Sequence, residues 1–291
     1  MGKDLGSDSE NVAHKSRRAF KKAEHEIFIE SFGVKIRIVT TRREGLDAVK
    51  KLLRNALGGR YRIIEKTDAE FTFRLNWNKD GRDSLFKNGE KIFTRLPRSE
   101  ILETLESRLR ITIAEYAVGK VFIHAGVVCW KGFALVLPSN SFRGKTTLVA
   151  ELVRRGAVYY SDEYAVLDER GFVHPFPKTL SVRGIIDKYK QVEMPVEAFG
   201  GKAGTKEIPV GMFLLTEYKE NARWKPKILS QGQGIMEILP HTVPVRYKPE
   251  FTLKVLNEAA NRAIIAKSFR DDVSKSVDKI LGFFESKITV V

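Results

Sequence analysis

The spacing of apolar residues predicts a small α+β segment in the first part of the chain. Apolar residues alternate with polar ones over residues 27–29 and 34–38, which predicts a hairpin that turns at Phe32-Gly33. Over residues 44–56 they recur every three or four positions, so we expect a helix there, ended by Gly58-Gly59. Alternating runs predict further strands at 61–65, 70–77 and 91–95.

A different pattern, of many short strands around one polar loop, follows a long amphipathic helix predicted over residues 99–118. We expect Ser99 to cap that helix and Gly119 to end it. Residues 188–205 include glycines and few apolar residues, which predicts a loop. Helices are predicted at 249–262 and 271–284, and strands at 121–130, 133–137, 158–161, 164–167, 172–173, 179–183, 210–216 and 263–268.

These patterns divide the chain into three segments. Residues 1–25 are charged and lack periodic apolar positions, so they are predicted to form a disordered tail. Residues 26–115 are predicted to form an accessory α+β domain, for which dimerisation and substrate docking are the open roles. Residues 116–291 are predicted to form an α/β domain that contains the polar loop.

The polar loop lies between an apolar strand and an amphipathic helix, in the order typical of a phosphate-binding loop. It ends in Gly144-Lys145-Thr146, and we expect the helix to start at Thr147. In such loops backbone N–H groups surround phosphate oxygens, the lysine reaches the outer phosphates and the hydroxyl binds a metal. Ser139 occupies the position where the pattern G-x-x-x-x-G-K-[ST] has its first glycine. The candidate nucleotide-binding residues are therefore Ser139, Asn140, Ser141, Phe142, Arg143, Gly144, Lys145, Thr146 and Thr147.

Two carboxylates, Asp162 and Glu163, follow the next predicted strand. Loops at the carboxyl ends of adjacent strands in an open sheet converge, so we expect these carboxylates near the polar loop. Asp162 could complete a Mg²⁺ site with Thr146, and either carboxylate could accept a proton from an incoming hydroxyl. Without the loop upstream, the pair would be interpreted as a solvated turn. His124 lies inside an apolar strand and is by default interpreted as a hydrogen-bonded core histidine.

Composition narrows the class of partner and the compartment. The net charge of +15 favours anionic partners, which include nucleotides, acidic proteins and nucleic acids. We recognise no nucleic-acid-binding module of interleaved basic and aromatic residues, so nucleic-acid binding would depend on charge alone and is disfavoured. Because Cys129 is the one cysteine, an internal disulfide is excluded, which is typical of a reducing compartment. Cys129 lies in an apolar run, as a buried structural thiol does. The charged first residues and the lack of a long apolar run predict a cytoplasmic protein without membrane spans.

Several of these features occur in the same order in a known family. The residues His124-Ala125-Gly126-Val127, the loop over 139–146, Arg155-Gly156 and Ser161-Asp162-Glu163 together resemble the catalytic domain of HPr kinase/phosphorylase, as in a divergent member of that family. The family shares its nucleotide-binding core with phosphoenolpyruvate carboxykinases. The likeness extends over about residues 121–183. It implies an α/β fold with an HPr-kinase/carboxykinase-like C-terminal P-loop domain and a mixed sheet, which the small α+β domain predicted from the apolar pattern would precede.

The resemblance also implies a site for ATP and Mg²⁺ and transfer of the γ-phosphate to a seryl hydroxyl. By match, Lys145 would bind the β- and γ-phosphates and Thr146 the Mg²⁺. Asp162 corresponds to the first acid of the family's aspartate pair, and Glu163 to the second, where the base is usually placed. His124 would lie near the transferred phosphate. The candidate catalytic residues are therefore Asp162, Glu163 and His124.

The chain departs from the family at Ser139, at the bulky Phe142 and at Glu163, which is one methylene longer than aspartate. Residues 1–115 do not resemble the family's N-terminal domain, so HPr itself is not the expected acceptor. We expect an ATP-dependent kinase whose acceptor hydroxyl belongs to a protein, a peptide or a small molecule, and which could form a homo-oligomer. The alternatives are a catalytically inactive ATP-binding regulatory protein, a carboxykinase-type enzyme and a basic nucleic-acid-binding protein.

Overall fold

The computed structural model describes residues 25–139, 144–183 and 191–288, whose contacts divide the chain into two compact units. The first unit ends at Leu109, except that residues 55–60 belong to the second, which continues from Arg110. The predicted boundary lies after residue 115, whereas this division falls within the helix Arg98–Tyr116. Of the predicted tail, His25 alone is among the described residues.

The first unit contains a six-stranded sheet. The predicted hairpin is present, because Phe32 and Gly33 adopt φ angles of 49° and 79° and the first two strands pair antiparallel. The sequence does not predict the strand Arg82–Lys87, in which Leu85 and Phe86 are the only apolar residues. The elements are β1 (His25–Ser31), β2 (Val34–Thr40), α1 (Arg43–Ala56), β3 (Arg62–Ile64), β4 (Phe71–Asn76), β5 (Arg82–Lys87) and β6 (Glu90–Pro97), in the sheet order β3-β1-β2-β4-β5-β6.

The second unit contains an eight-stranded mixed sheet and a two-stranded hairpin. Its strands are β7 (Lys120–Trp130), β8 (Phe133–Pro138), β9 (Val158–Ser161), β10 (Tyr164–Asp168), β11 (Phe172–His174), β12 (Leu180–Arg183), β13 (Gln191–Met194), β14 (Ile208–Tyr218), β15 (Lys227–Ile228) and β16 (Ile264–Arg270). The large sheet has the order β11-β10-β7-β8-β14-β16-β15, and β9 also pairs with β7. β14 is parallel to β8 and β16, whereas β7 is antiparallel to β8, β9 and β10.

Helices cover both faces of the large sheet. The remaining helices are α2 (Arg98–Tyr116), α3 (Lys145–Arg154), α4 (Gln231–Ile238), α5 (Pro249–Arg262) and α6 (Val273–Ile288). α3 and α6 pack on one face through residues such as Leu152 and Phe284, and α4 and α5 pack on the other through Ile235 and Leu256. This arrangement confirms the α/β class with mixed sheets. Among the described residues, no helix is both long and apolar enough to cross a membrane.

The predicted start of α2 is wrong by one residue. The helix begins at Arg98, so Ser99 lies inside its first turn and is not its cap. Tertiary contacts of Arg98 explain the earlier start, because its N–H donates to the Gly81 carbonyl at 3.0 Å and its guanidinium pairs with buried Asp83 at 2.9 Å. A pattern of apolar residues does not report such contacts.

The predicted loop over residues 188–205 is wrong in part, since β13 and the 3₁₀ turn Val196–Phe199 lie within it. β13 pairs with β12, and Glu193 on β13 accepts a hydrogen bond from buried Lys178 at 3.1 Å. This ion pair stabilises a strand in a stretch with few apolar residues.

The short helix α4 is not predicted by the sequence, because it contains two glycines, which are poor helix formers. Gly234 has a packing role instead, since a Cβ there would lie 2.3 Å from Ile265 Cδ1. Ser230 stabilises the helix start by accepting a hydrogen bond from the Gln233 N–H, as part of a capping box.

Glycine at position 126 is required by the packing of α3 on β7. A Cβ on Gly126 would lie 2.5 Å from Val149 Cγ2 and 3.2 Å from Lys145 Cγ. We expect Gly126→Ala to lower the free energy of unfolding by about 1–3 kcal/mol, as overpacking of a core does. The control is Gly282→Ala in α6, where an added Cβ meets nothing within 4 Å and alanine should stabilise the helix by up to about 1 kcal/mol. Urea denaturation measures both changes, and an unaltered stability of Gly126→Ala would contradict the packing.

Candidate active site

The hairpin of β7 and β8 brings the start of the polar loop beside His124. Its turn, Lys131-Gly132, has φ angles of 50° and 88°, the left-handed pair that a tight two-residue hairpin turn requires. In the resulting register, Ala125 lies opposite Pro138. The N–H of Ser139 therefore reaches the His124 carbonyl, at 3.4 Å.

Gly144 ends the polar loop and starts α3. Its φ of 75° and ψ of 22° lie in the left-handed region, and the helix begins at Lys145, two positions before the predicted start at Thr147. The Gly144 carbonyl accepts a hydrogen bond from Arg270 Nη2 at 3.0 Å, and a Cβ at Gly144 would lie 2.7 Å from that same atom. Glycine is therefore needed here both for the backbone angle and for the contact with Arg270.

Lys145 extends from the first turn of α3 across β7 to His124. His124 and Gly126 are two residues apart on β7, so their side-chain positions share the face that α3 covers. The missing Cβ of Gly126 leaves room for the lysine stem, whose Nζ lies 3.1 Å from His124 Nε2. Burial, and then the charge of Lys145, lower the pKa of His124 to about 4, so the ring is neutral at pH 7. When Lys145 is protonated, Nε2 accepts from it and the ring proton lies on Nδ1.

Asp162 and Glu163 lie at a break between β9 and β10. Both strands pair with β7, β9 along its second half and β10 along its first half. At the break, the Ser161 hydroxyl accepts hydrogen bonds from the N–H groups of Glu163 at 3.1 Å and Tyr164 at 2.9 Å. The Glu163 carbonyl accepts from the Ala125 N–H at 3.2 Å. These bonds fix the two acids at the level of β7 where the polar loop begins.

A hydrogen bond between Thr146 and Asp162 joins α3 to this break. The Thr146 hydroxyl donates to Asp162 Oδ2 at 2.7 Å. The other oxygen, Oδ1, is buried and has no hydrogen-bond partner among the described residues. Burial raises the pKa of Asp162 to about 6, while the charge of Lys145 and the bond from Thr146 oppose that rise. A buried carboxylate oxygen without a donor is costly unless a ligand or a cation contacts it.

Two arginines of the site are not predicted by the sequence. Arg110, on α2, has Nε 3.7 Å from Glu163 Oε1, and its side chain is 13% exposed. Arg270, which contacts Gly144, is 2% exposed. Arg270 ends β16, so the convergence of loops at the carboxyl edge of the sheet is a signal that could have identified it. No local pattern distinguishes Arg110 from the other arginines of its helix.

The structure brings most of the predicted site residues together around the first turn of α3. They are His124, Ser139, Gly144, Lys145, Thr146, Asp162 and Glu163. Thr147 also lies in this first turn, where it is exposed and, with Gly144, lines a cavity of about 410 Å³. Asn140, Ser141, Phe142 and Arg143 lie outside the described residues. Within the described ranges, no group of three or more His, Cys, Asp or Glu side chains could hold a metal by itself.

The raised pKa of Asp162 predicts a cost in stability that depends on pH. Because its pKa rises from 3.8 to about 6, the folded protein binds this proton more tightly than the unfolded chain does, and stability is lost as pH rises through that interval. We expect Asp162→Asn to be more stable than the wild type at pH 8, by on the order of 1–3 kcal/mol, and equally stable below about pH 4. Urea denaturation at both pH values measures this difference.

Asp278→Asn is the matched control for that measurement. A hydrogen bond from Arg155 lowers the pKa of exposed Asp278, so its ionised form favours folding and the variant should lose stability at pH 8 rather than gain it. Equal stability of the wild type and Asp162→Asn at pH 8 would show that the Asp162 carboxylate is not held in a dry site.

A scan against models of protein families and a search of curated proteins found no match for this chain. Its function is therefore inferred from its own side chains. The features available for that inference are the contacts of Lys145, Thr146 and Asp162 at the start of α3.

Proposed function

We propose that the chain is an ATP-dependent kinase with an HPr-kinase-like P-loop domain, which transfers the γ-phosphate of ATP to a hydroxyl group. The observation that supports this most is the joint position of Lys145, Thr146 and Asp162 at the first turn of a helix that follows a buried strand. A chance Gly-Lys-Thr tripeptide would not need a buried carboxylate beside its threonine or a neutral histidine beside its lysine.

Phosphate binding would take place at the first turn of α3. The unpaired N–H groups and partial positive charge of a helix N-terminus favour an anion there. Lys145 adds a side-chain amine at the same point, and its pKa is lowered by burial and raised by the nearby charges of Asp162 and Glu163. We assign Lys145 to the β- and γ-phosphates, because a partly buried amine gains most from an anionic partner.

The smaller cavity suits the nucleoside end of ATP. Its volume of about 410 Å³ lies within the range of about 300–1,000 Å³ that is usual for small-molecule sites. Gly144 and Thr147 line it together with Tyr218 and Arg270, so it adjoins the first turn of α3. A nucleotide with its phosphates at this turn would reach the cavity with its nucleoside.

Thr146 and Asp162 are the residues that would hold Mg²⁺. Both offer hard oxygen atoms, and the buried Oδ1 of Asp162 is available as a ligand. Mg²⁺ usually takes one or two carboxylates together with phosphate oxygens and waters, so a larger cluster of protein ligands is not required. When bound, Mg²⁺ neutralises charge on the phosphates.

Of the two acids, Glu163 is the one we assign to the acceptor's proton. Asp162 Oδ2 already accepts from Thr146 and the residue is 8% exposed, whereas the Glu163 side chain is 26% exposed and can meet an incoming hydroxyl. Arg110, with Nε 3.7 Å from Glu163 Oε1, would orient the Glu163 carboxylate.

In the proposed reaction, the γ-phosphate passes from ATP to the acceptor hydroxyl. The acceptor oxygen forms a bond to the γ-phosphorus as the bond from that phosphorus to the β–γ bridging oxygen breaks. Glu163 takes the proton of the hydroxyl, and ADP leaves with the electron pair of the broken bond. His124, neutral and 3.1 Å from Lys145 Nζ, positions the amine against the phosphates.

Lys145→Ala tests the phosphate site. Loss of a charged hydrogen-bond donor should weaken ATP·Mg²⁺ binding by about 1.5–3 kcal/mol, or roughly 10- to 100-fold, in a calorimetric titration. Lys279→Ala is the control, because Lys279 is exposed on α6 and its removal changes the net charge equally. An unchanged affinity in Lys145→Ala would remove the basis of the proposed site.

Glu163→Gln distinguishes an active kinase from an inactive ATP-binding protein. We expect it to reduce transfer of labelled phosphate to lysate proteins and peptides by roughly 10²-fold or more, with ATP affinity retained, because it removes a general base without altering the phosphate site. A wild type that binds ATP but labels nothing would favour a regulatory protein. An undiminished rate of transfer in Glu163→Gln would indicate that Asp162, and not Glu163, is the general base.

A further inference from the structure

A second cavity, of about 1130 Å³, lies beside the candidate active site on the face of the sheet that α4 covers. It lies at the carboxyl ends of β14 and β16 and includes Ser139, the first residue of the polar loop. Among the described lining residues, it shares only Glu217 with the smaller cavity assigned to the nucleoside. The larger cavity is therefore available to a different ligand.

The larger cavity adjoins the reacting end of the proposed site. His241 lines it, and the next residue, Thr242, forms a β-bridge with Ile123, which precedes His124. His241 is close enough to His124 for its charge to lower the pKa of that ring, after the larger effects of burial and of Lys145. A ligand in the larger cavity could therefore present a hydroxyl to a phosphate held by Lys145.

Three cations line one wall of the cavity at every second position. Arg223, Lys225 and Lys227, which we call the basic ladder, are exposed, while Trp224 between them is half-buried and packs its ring 6.1 Å from that of Phe283. Alternating exposure is typical of an extended segment, and this one continues directly into β15. No residue of the ladder forms an ion pair with another described residue.

The floor of the cavity holds a polar atom without a partner. Thr216, on β14, lines the cavity and is 8% exposed. Its hydroxyl is buried and has no hydrogen-bond partner among the described residues. A buried hydroxyl that makes no bond within the protein is stabilised by a ligand that supplies one. The rim is apolar in part, since Met236 is 67% exposed and Phe269 is 51% exposed.

Resting on the kinase function proposed above, we propose that the larger cavity is the acceptor site and that it recognises an acidic peptide segment with a serine. In an extended segment, successive members of the basic ladder are about 6.4–6.8 Å apart, which is also the spacing of alternate side chains in an extended peptide. Acidic residues at alternate positions beside the serine would therefore each meet one cation. Exposed Met236 and Phe269 favour a polypeptide over a small anion, because they offer apolar contact beyond the charges.

A nucleic acid is the weaker occupant. Single strands bind on successive aromatic side chains, and among the described residues of this cavity Phe269 is the only phenylalanine, tyrosine or tryptophan. Part of the positive charge on the cavity wall is also neutralised, since Lys267 Nζ lies 2.8 Å from Glu237 Oε1. The free positive charge is concentrated on the basic ladder.

Fluorescence anisotropy of a labelled peptide tests the site without requiring catalysis. The probe is a short peptide with a central serine and glutamates at alternate positions, and its control carries glutamines in their place. We expect the wild type to bind the acidic peptide about tenfold more tightly, and Lys225→Gln/Lys227→Gln to lose that preference. Lys51→Gln/Lys279→Gln, in which two exposed lysines elsewhere lose the same charge, should keep it.

Three outcomes separate this inference from the kinase function. Lys145→Ala should bind the acidic peptide as the wild type does while binding ATP·Mg²⁺ roughly 10- to 100-fold more weakly. Peptide binding without any ATP binding in the wild type would remove the kinase function and the acceptor role together. Transfer to peptides that shows no preference for acidic ones, or none that Lys225→Gln/Lys227→Gln alters, would overturn the acceptor cavity and leave the kinase standing. Displacement of the peptide by a lower concentration of an oligothymidylate would assign the basic ladder to nucleic acid instead.

Discussion

The withdrawal of charged groups from water at the first turn of α3 is the constraint on which the second unit depends. Lys145 and Asp162 are both shifted by burial toward their neutral forms, the lysine with a lowered pKa and the aspartate with a pKa of about 6. Each charge partly offsets the cost of burying the other. The offset is incomplete, because the pKa of Asp162 remains raised although Lys145 and Thr146 oppose the rise. A site that is electrostatically unfavourable when empty of ligand gains more from binding phosphate and metal.

Backbone geometry makes this withdrawal sterically feasible. Gly126 allows the stem of Lys145 to lie directly on β7, and Gly144 allows α3 to start within contact of Arg270. The break between β9 and β10 then turns Asp162 toward Thr146 instead of continuing the pairing with β7. Gly126, Gly144 and the break between β9 and β10 therefore determine where the charged side chains meet. Any larger residue at either glycine would separate the helix from the groups that it has to contact.

The sequence predicted the parts of this arrangement that depend on local chemistry. The strands β8 and β9 and the helix α5 follow from alternation and helix periodicity, and the structure agrees with each of them. The approach of Thr146 to Asp162 was predicted from the convergence of loops at the edge of a sheet. The remaining features depend on contacts between residues distant in sequence, such as Arg270 with Gly144. Others depend on glycines whose low helix propensity argues against the element that contains them, as in α4. A single sequence contains no periodic signal for either kind.

The order of the large sheet bears on the proposed division between two cavities, which share Glu217 in their linings. β8 is antiparallel to β7 on one side and parallel to β14 on the other, so the chain direction changes at the strand that precedes the loop. From that point α3 covers one face and α4 the other. A nucleotide bound against α3 and an acceptor bound against α4 would therefore approach each other over the end of β8, where Lys145 lies beside His124. Such a division would keep each ligand in its own cavity and bring only the phosphate and the hydroxyl into contact, as phosphoryl transfer between two bound substrates requires.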